Sequence, residues 1–205
     1  MSSVPWPWYL ATWMFEPLYV FVFAGLFSPG PNVIMLSTSG ARFGLAATLP
    51  HLLGVAAGVG VTAGLTGLGI ATLLLANPEL TTILKTAAAV WIFWMAWKLF
   101  HAGQPKAQNK DRPFSFFEAV LFQWVNPKVW AVALAASSGF TSGLEPIDEA
   151  LRLGSVFSGL NLFVCLFWTW AGSLLAYLLT TPLAWAVFLR AMAVAMAGSA
   201  VLIFM

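Results

Sequence analysis

The sequence predicts an all-α membrane protein of six transmembrane helices, arranged as an inverted 3+3 repeat in which the first and fourth helices are broken. Three observations predict this fold: the apolar composition, the number of membrane-length apolar segments, and two proline-containing breaks at matching places in the two halves. Of the 205 residues, 60% are hydrophobic and 8% are charged, whereas a soluble domain carries about 25% charged residues. The composition therefore excludes a soluble domain and indicates a protein that crosses the membrane several times.

Six apolar segments are long enough to cross the ~30 Å hydrocarbon core of a bilayer as helices. They cover residues 14–40, 45–76, 80–101, 114–138, 150–178 and 183–204. Residues 1–205 are therefore expected to form a single transmembrane domain, with repeat halves at about 14–101 and about 114–204. No basic leader with a cleavage site precedes the first segment, so we expect this segment to stay in the mature protein.

Aromatic and charged residues predict how the chain lies in the membrane. Residues 1–9 are rich in Trp and Pro, which is typical of a segment resting on lipid headgroups, so membrane lipid is an expected partner. Residues 98–112 hold four basic side chains against Asp111, whereas residues 145–149 are acidic. The positive-inside rule places the basic connection in the cytoplasm and, with six spans, both termini outside. The net charge of +2 is too small and scattered to indicate nucleic acid.

The first break interrupts the first predicted span. It consists of Ser28, Pro29, Gly30, Pro31 and Asn32. Because proline has no backbone N–H, the carbonyls of Gly25 and Phe27 lose their helical partners. The ten residues from Leu18 to Phe27 cover about 15 Å of helix, half of the hydrocarbon core, so the break lies near the midplane. Free backbone groups at that depth are tolerated only inside protein or beside a watery cavity, which makes the break a candidate substrate-binding site. The alternative is a helix with a purely structural kink.

The second break interrupts the fourth predicted span in the same way. It contains Gln123, Asn126, Pro127 and Lys128. Pro127 frees the carbonyl of Gln123, and three polar side chains that are expensive in lipid cluster around the gap. We interpret these four residues as the second half of the substrate-binding site. The alternatives are a short re-entrant loop and a lysine that extends from a shallower helix toward the interface.

The two halves repeat other features at nearly constant offsets. Pro78 opens the third span with Lys85 inside it, and Pro182 opens the sixth span with Arg190 inside it. Three spans per half is an odd number, so the second half has to enter from the opposite side, which gives an inverted repeat. Lys85 and Arg190 are then candidate gating or coupling residues near opposite faces of the membrane. Extension of both side chains to lipid phosphates is the alternative role.

Inverted symmetry predicts that the two broken helices pass each other near the midplane. Asn32 and Asn126 are then expected to face one another across the cavity. Each amide offers a donor and an acceptor, so the pair can bind a zwitterion without burying a net charge. The glycines of the second span, including Gly54, Gly58, Gly60 and Gly64, have the four-residue spacing of a helix-packing face. A glycine-lined path is the alternative for that stripe.

The residues that could carry other chemistry are few. His51 and His101 are the two histidines, and Cys165 is the single cysteine, so no metal or haem site and no disulfide is expected. Ser28 and His51 have no acid partner for a hydrolase triad, and no nucleophile-elbow motif accompanies them. We therefore expect no enzyme activity and no cofactor.

The motifs resemble the LysE/RhtB family of amino-acid exporters along nearly the whole chain. The resemblance is carried by residues 28–32 (SPGPN), residues 39–44 (SGARFG) before the glycine-rich span, and residues 122–128 (FQWVNPK). It implies a multi-pass exporter of amino acids in the bacterial inner membrane, with transport driven by the proton gradient. The Trp-rich residues 1–9 depart from the usual short start of the family.

The residues and the resemblance favour a secondary exporter of small amino acids or related metabolites, working by alternating access around the two breaks. A passive channel or pore for small solutes is the alternative, since it could use the same breaks. Proton coupling usually needs a carboxylate inside the membrane, but Glu16, Glu79 and Glu118 all lie near predicted interfaces. The coupling ion therefore stays open, as does the choice between a monomer and a homodimer.

Overall fold

A computed structural model describes residues 17–69, 76–103, 112–140 and 142–201. Every regular element in these ranges is an α-helix. The helices are α1 (Pro17–Phe27), α2 (Pro31–Gly67), α3 (Pro78–Phe100), α4 (Phe116–Trp124), α5 (Pro127–Gly139), α6 (Pro146–Leu175) and α7 (Pro182–Val201). The Trp-rich residues 1–9, Glu16 and residues 104–111 of the basic connection lie outside the described ranges.

Proline marks the start of most of the helices. Those that begin with proline are α1, α2, α3, α5, α6 and α7. The first residue of a helix has no intrahelical use for its N–H, so proline is favoured there. Helix α4 starts differently: the Ser115 hydroxyl accepts from the Glu118 N–H, and the Glu118 carboxylate accepts from the Ser115 N–H, which is a capping box.

Helix α2 folds back on itself at Gly44. This glycine has φ 81° and ψ 168°, a backbone conformation that side-chain-bearing residues rarely adopt. Residues on the two sides of the bend contact each other, since the hydroxyls of Ser39 and Thr48 are 3.0 Å apart. Residues 31–43 and 45–67 therefore form the two limbs of a hairpin, which agrees with the predicted boundary between the first two spans.

Three helices, α2, α6 and α7, are long and apolar enough to cross a membrane, and α4 with α5 forms a fourth candidate span bent by 62°. The predicted all-helical membrane fold is confirmed by these helices. The inverted repeat of six spans also needs α3 and each limb of the α2 hairpin to cross, and it stays a prediction.

The glycine stripe of α2 is a packing face. A Cβ on Gly58 would lie 2.7 Å from the Gln123 Cγ of α4, and one on Gly60 would lie 2.9 Å from the Gly154 carbonyl oxygen of α6. Gly64 meets the Ala150 carbonyl of α6 in the same way. The absence of side chains lets the three backbones approach closely. The prediction of a packing face is confirmed.

Three buried apolar clusters hold the described helices together. The first contains residues of α1, α2, α4, α5 and α6, such as the fully buried Val22, Leu52 and Phe157. The second, which we call the four-helix cluster, joins α2, α3, α4 and α7 and contains Ile34, Ala89, Ile92, Met95, Ala96, Phe122, Met196 and Ala200. The third joins α2 and α7 and contains Ala41, Trp185 and Leu189. Burial of such side chains contributes about 1.5–3 kcal/mol each relative to exposure in water, and in lipid the same contacts act through close packing.

Candidate functional site

The first predicted break is present, since α1 ends at Phe27 and α2 begins at Pro31. The Ser28 hydroxyl donates to the Gly25 carbonyl at 2.9 Å. That carbonyl is the one that Pro29 leaves without a helical N–H, so a serine side chain replaces the missing backbone donor. The break is thus a defined local structure with its own hydrogen bonds, and its position follows from the two prolines.

The second predicted break is present as well, between Trp124 at the end of α4 and Pro127 at the start of α5. The Asn126 N–H donates to the Gln123 carbonyl at 3.2 Å, so this carbonyl has a partner despite Pro127. The Asn126 carbonyl in turn accepts from the Val129 N–H at 3.1 Å. These two bonds lie at the 62° bend between the half-helices.

Three buried or half-buried amides join the two breaks. The Asn32 Nδ2 donates to the Gln123 Oε1 at 2.8 Å, and the Gln123 Nε2 donates to the Asn32 Oδ1 at 3.2 Å. The Asn126 Nδ2 also donates to the Gln123 Oε1, at 3.3 Å, while the Asn126 Oδ1 has no partner. Gln123 therefore lies between the two asparagines that the sequence predicts to face one another, and the predicted site residues Asn32, Gln123 and Asn126 form one network.

Lys128 of the second break binds the backbone of the first. Its ammonium donates to the Ser28 carbonyl and, at 3.3 Å, to the Pro29 carbonyl. A Cβ on Gly30 would lie 2.8 Å from the Lys128 Cδ, so the glycine leaves room for this side chain. A cation beside the carbonyl end of α1 is favoured by the helix dipole. The nine predicted substrate-binding residues thus meet in one place, and their role in binding stays a prediction.

The two predicted gating residues lie far from each other on packed helices. The Arg190 guanidinium of α7 lies over the Phe100 ring at the end of α3, with 5.4 Å to the ring centroid. Lys85 is exposed and belongs to the first half of α3. The 15 residues from Lys85 to Phe100 span about 22 Å of helix, so the two cations are well separated along α3. Their placement near opposite faces of the membrane stays a prediction.

A cavity of about 790 Å³ opens beside the breaks. It is lined by residues of α2, α3, α4 and α7 and by the segment before α4. The lining includes Met35, Thr38, Ser39, Arg42, His51, Trp91, Trp94, Met95, Lys98, Arg112, Glu118, Phe122, Val125 and Met196. None of the nine predicted substrate-binding residues lines it, but Phe122 and Val125 are direct neighbours of Gln123 and Asn126 in the chain. This cavity therefore borders the amide network without including it.

Three charged residues of the cavity lining, Lys98, Arg112 and Glu118, have defined contacts. Arg112 donates two hydrogen bonds to the Glu118 carboxylate, at 2.6 and 2.8 Å. The hydrogen bond to Glu118 and the attraction between the charges raise the pKa of Arg112 above its ordinary value. Lys98 lies over the Trp94 ring, with its ammonium 3.7 Å from the centroid. These cations belong to the connection that the positive-inside rule assigns to the cytoplasm.

Thr38 and His51 line the cavity and carry unpaired polar atoms, but the sequence analysis does not assign them to the site. The Thr38 Oγ1 and the His51 Nδ1 are buried and have no hydrogen-bond partner. His51 is 2% exposed and packs on the Phe114 ring at 5.3 Å between centroids. A histidine inside a membrane helix is a sequence signal that could have identified one of them. Thr38 has no such signal, because threonines in membrane helices usually bond to their own backbone.

No group of three or more His, Cys, Asp or Glu side chains that could hold a metal ion occurs in the part of the chain that the structure describes. The buried polar groups around the cavity and the breaks are instead hydroxyls, amides and an imidazole. Together with two linked helix breaks in an apolar helical fold, these features define a membrane transport protein.

The family follows from comparison with known proteins. A sequence model of the LysE type translocator family matches residues 23–205. The chain therefore belongs to the LysE type translocator family, and it is a transporter rather than an enzyme. No solved structure matches the chain.

Two curated relatives illustrate what the chain is similar to. A cysteine/O-acetylserine efflux protein of Salmonella paratyphi A (strain ATCC 9150 / SARB42) is 28% identical over 151 residues, or 72% of this chain and 76% of the relative. A protein of the same description from Escherichia coli O1:K1 / APEC is 26% identical over 149 residues, with the same 72% and 76% coverage. Both relatives are thus named for the efflux of cysteine and O-acetylserine.

Proposed function

We propose that this transporter is a secondary exporter of a small amino acid or related metabolite across the bacterial inner membrane, working by alternating access around the two helix breaks. Membership of the LysE type translocator family supports export. The names of the relatives make cysteine and O-acetylserine the first substrates to test. Both are small zwitterions, which suits a site built from amides and backbone groups.

The observation that carries the proposal is the direct bonding between the breaks. The Asn32–Gln123 amide pair and the Lys128 bond to the Ser28 carbonyl both connect residues of the first half to residues of the second. When one half moves against the other, these bonds have to separate. A substrate carboxylate can then take the place of one amide as the hydrogen-bond partner of the other. A substrate ammonium can take the place of the Lys128 ammonium at the Ser28 and Pro29 carbonyls. Binding and movement are thereby linked.

The packing of equivalent elements supports an inverted 3+3 repeat. The limb at residues 45–67 packs along α6, and α3 packs against α7, so each helix contacts its proposed counterpart. The bent pair α4 and α5 corresponds to α1 and residues 31–43. With the basic side in the cytoplasm, the cavity lined by Lys98 and Arg112 faces inward.

A passive pore needs a continuous path past the breaks. Between α2, α3, α4 and α7 the four-helix cluster instead packs Ile34, Ile92 and Phe122 tightly, with at most 4% of each side chain exposed. This favours a carrier whose cavity is open on one side at a time.

Counterflow tests the proposal. Purified protein in liposomes preloaded with unlabelled cysteine should accumulate labelled cysteine transiently from outside, because a carrier exchanges the two and a pore does not. Protein-free liposomes give the background. Equilibration without a transient overshoot, for cysteine and for O-acetylserine alike, would overturn a carrier for these substrates.

A further inference from the structure

Thr38 and His51 come from the two limbs of the α2 hairpin and line the same cavity. Next to Thr38, the Ser39 hydroxyl lies 3.0 Å from that of Thr48 on the other limb, so the limbs touch at this level. Thr38 is next to Ser39 in the chain, and His51 lies one helical turn beyond Thr48. The contact between the limbs therefore brings together the two segments that carry Thr38 and His51.

Both residues keep a buried polar atom unpaired, the Thr38 Oγ1 and the His51 Nδ1. Other buried threonines of α2 behave differently: the Thr62 hydroxyl donates to the Gly58 carbonyl at 2.9 Å. An unpaired buried polar group is destabilising, and natural proteins rarely keep one without a reason. Two such groups on one cavity wall are explained if a ligand supplies the missing hydrogen bonds.

The charges of the cavity select the sign of that ligand. Its charged lining residues within the described ranges are Arg42, Lys98, Arg112 and Glu118. The Glu118 carboxylate is bound in a bidentate manner by Arg112, so these two charges offset each other. Lys98, whose ammonium lies over the Trp94 ring, adds a positive charge to this lining, which favours an anionic group.

The rest of the wall suits a small organic molecule. Trp91, Trp94, Met35 and Met95 provide an apolar and polarisable surface on the side formed by α2 and α3. A volume of about 790 Å³ falls in the range of about 300–1,000 Å³ that is usual for small-molecule sites. The cavity is thus lined by the polar atoms of Thr38 and His51 in one part and by apolar side chains of α2 and α3 in another.

We propose that Thr38 and His51 form a carboxylate subsite in the inward-facing cavity, where the transported amino acid is first bound with its side chain against Trp91 and Trp94. This inference rests on the proposed export function and adds the residues that recognise the carboxylate. The Thr38 hydroxyl and the His51 ring each donate one hydrogen bond to it. From this subsite the substrate passes the four-helix cluster at Phe122 to reach the amide network of the breaks.

Binding to the purified wild-type protein in detergent tests the subsite, with fluorescence of the cavity tryptophans as the readout. The probes are S-methylcysteine, 3-(methylthio)propionate, which lacks the ammonium, and 2-(methylthio)ethylamine, which lacks the carboxylate. We expect both carboxylates to bind and the amine to bind at least about tenfold more weakly, since it loses a hydrogen bond to a charged group. Thr38→Val and His51→Gln should each raise the Kd of the two carboxylates by about tenfold and leave that of the amine unchanged.

Thr169→Val is the matched control, because the Thr169 hydroxyl is also buried and unpaired but lies outside the cavity lining. It should bind all three probes like the wild type. Thr38→Val replaces a side chain by one of the same shape, so the test remains informative if His51→Gln fails to fold. Equal binding of carboxylates and amine by the wild type, no binding of either carboxylate, or wild-type Kd values in Thr38→Val would overturn the subsite. If counterflow is observed together with any of these results, the proposed export function stands and only the subsite is wrong. If the carboxylates bind as expected but no counterflow is observed, the export function is wrong and the subsite stands.

Discussion

Asn32 and Gln123, 91 residues apart in the chain, exchange two side-chain hydrogen bonds of 2.8 and 3.2 Å. Each amide uses one donor and one acceptor for the other, and Gln123 also bonds to the Ala119 carbonyl and to Asn126. Asn32 lies in the first turn of α2 and Gln123 in the last turn of α4. The pair therefore connects the two halves of the chain beside the helix break of each half.

The contact between Gly30 and Lys128 leads to a first prediction. A Cβ on Gly30 would lie 2.8 Å from the Lys128 Cδ and 3.1 Å from its Nζ, and the extended backbone at φ 177° accepts any residue. Gly30→Ala should therefore fold normally, because a flexible side chain can move away. It should displace the ammonium from the Ser28 and Pro29 carbonyls and slow counterflow about tenfold, the effect of losing a hydrogen bond to a charged group.

Gly159→Ala on α6 is the control for this measurement, because no atom outside its own helix lies within 4 Å of an added Cβ there. Its counterflow rate should equal that of the wild type at matched protein content. A wild-type rate in Gly30→Ala would mean that the Lys128 contact with the first break does not matter for transport.

Close packing between α2 and α6 leads to a second prediction. A Cβ on Gly40 would overlap the Thr169 carbonyl oxygen, and rigid backbone cannot move aside as a side chain can. Gly40→Ala should lower the free energy of unfolding in mixed micelles by about 1–3 kcal/mol, the usual effect of overpacking. Gly159→Ala should raise it by up to about 1 kcal/mol, since alanine favours helix. Equal unfolding free energies for the two variants would show that the helices separate easily at this crossing.

The cations on α3 and α7 lead to a third prediction. If Lys85 and Arg190 act as gates, Lys85→Gln and Arg190→Gln should each reduce export from cells when membrane insertion, followed by an epitope tag, is unchanged. Arg190→Lys should recover part of the loss, because lysine keeps the charge near the Phe100 ring. Wild-type export by both glutamine variants would assign the two residues to lipid phosphates instead.

The fold was largely predictable because its main signals are local. Proline removes a backbone donor in any context, so the helix interruptions at Pro29 and Pro127 follow from the residues alone. The hairpin bend at Gly44 also has a local cause, since its φ of 81° suits glycine. The start of α6 at Pro146, before the expected residue 150, reflects the preference of proline for the first helical position.

The partners of the site residues were less predictable because they depend on helix rotation and depth. Gln123, rather than Asn126, pairs with Asn32 because α4 packs closely on Gly58, which turns Gln123 toward the first break. Thr38 and His51 reach one cavity only because the α2 hairpin folds at Gly44. The separation of 13 residues between Thr38 and His51 does not predict that both side chains line one cavity.

A double-mutant cycle on Asn32 and Gln123 gives the last prediction. Asn32→Ala leaves Gln123 with its bonds to the Ala119 carbonyl and to Asn126, at 2.9 and 3.3 Å. Gln123→Ala leaves both ends of the Asn32 amide and the Asn126 Nδ2 without these partners. Gln123→Ala should therefore be the more destabilising change, because each buried group left unpaired costs about 1–3 kcal/mol.

The double variant should lose less stability than the sum of the two single losses, with an interaction energy of about 0.5–3 kcal/mol. The measurements are the free energy of unfolding in mixed micelles and the half-saturating cysteine concentration in counterflow. Asn161→Leu is the control, since the buried Asn161 Nδ2 has no partner and its loss should be neutral or stabilising. If the losses add to within about 0.3–0.5 kcal/mol, the amides act independently. If Asn32→Ala and Asn126→Ala both keep the wild-type half-saturating concentration, the amides only stabilise the breaks, and substrate recognition has to lie in the cavity at Thr38 and His51.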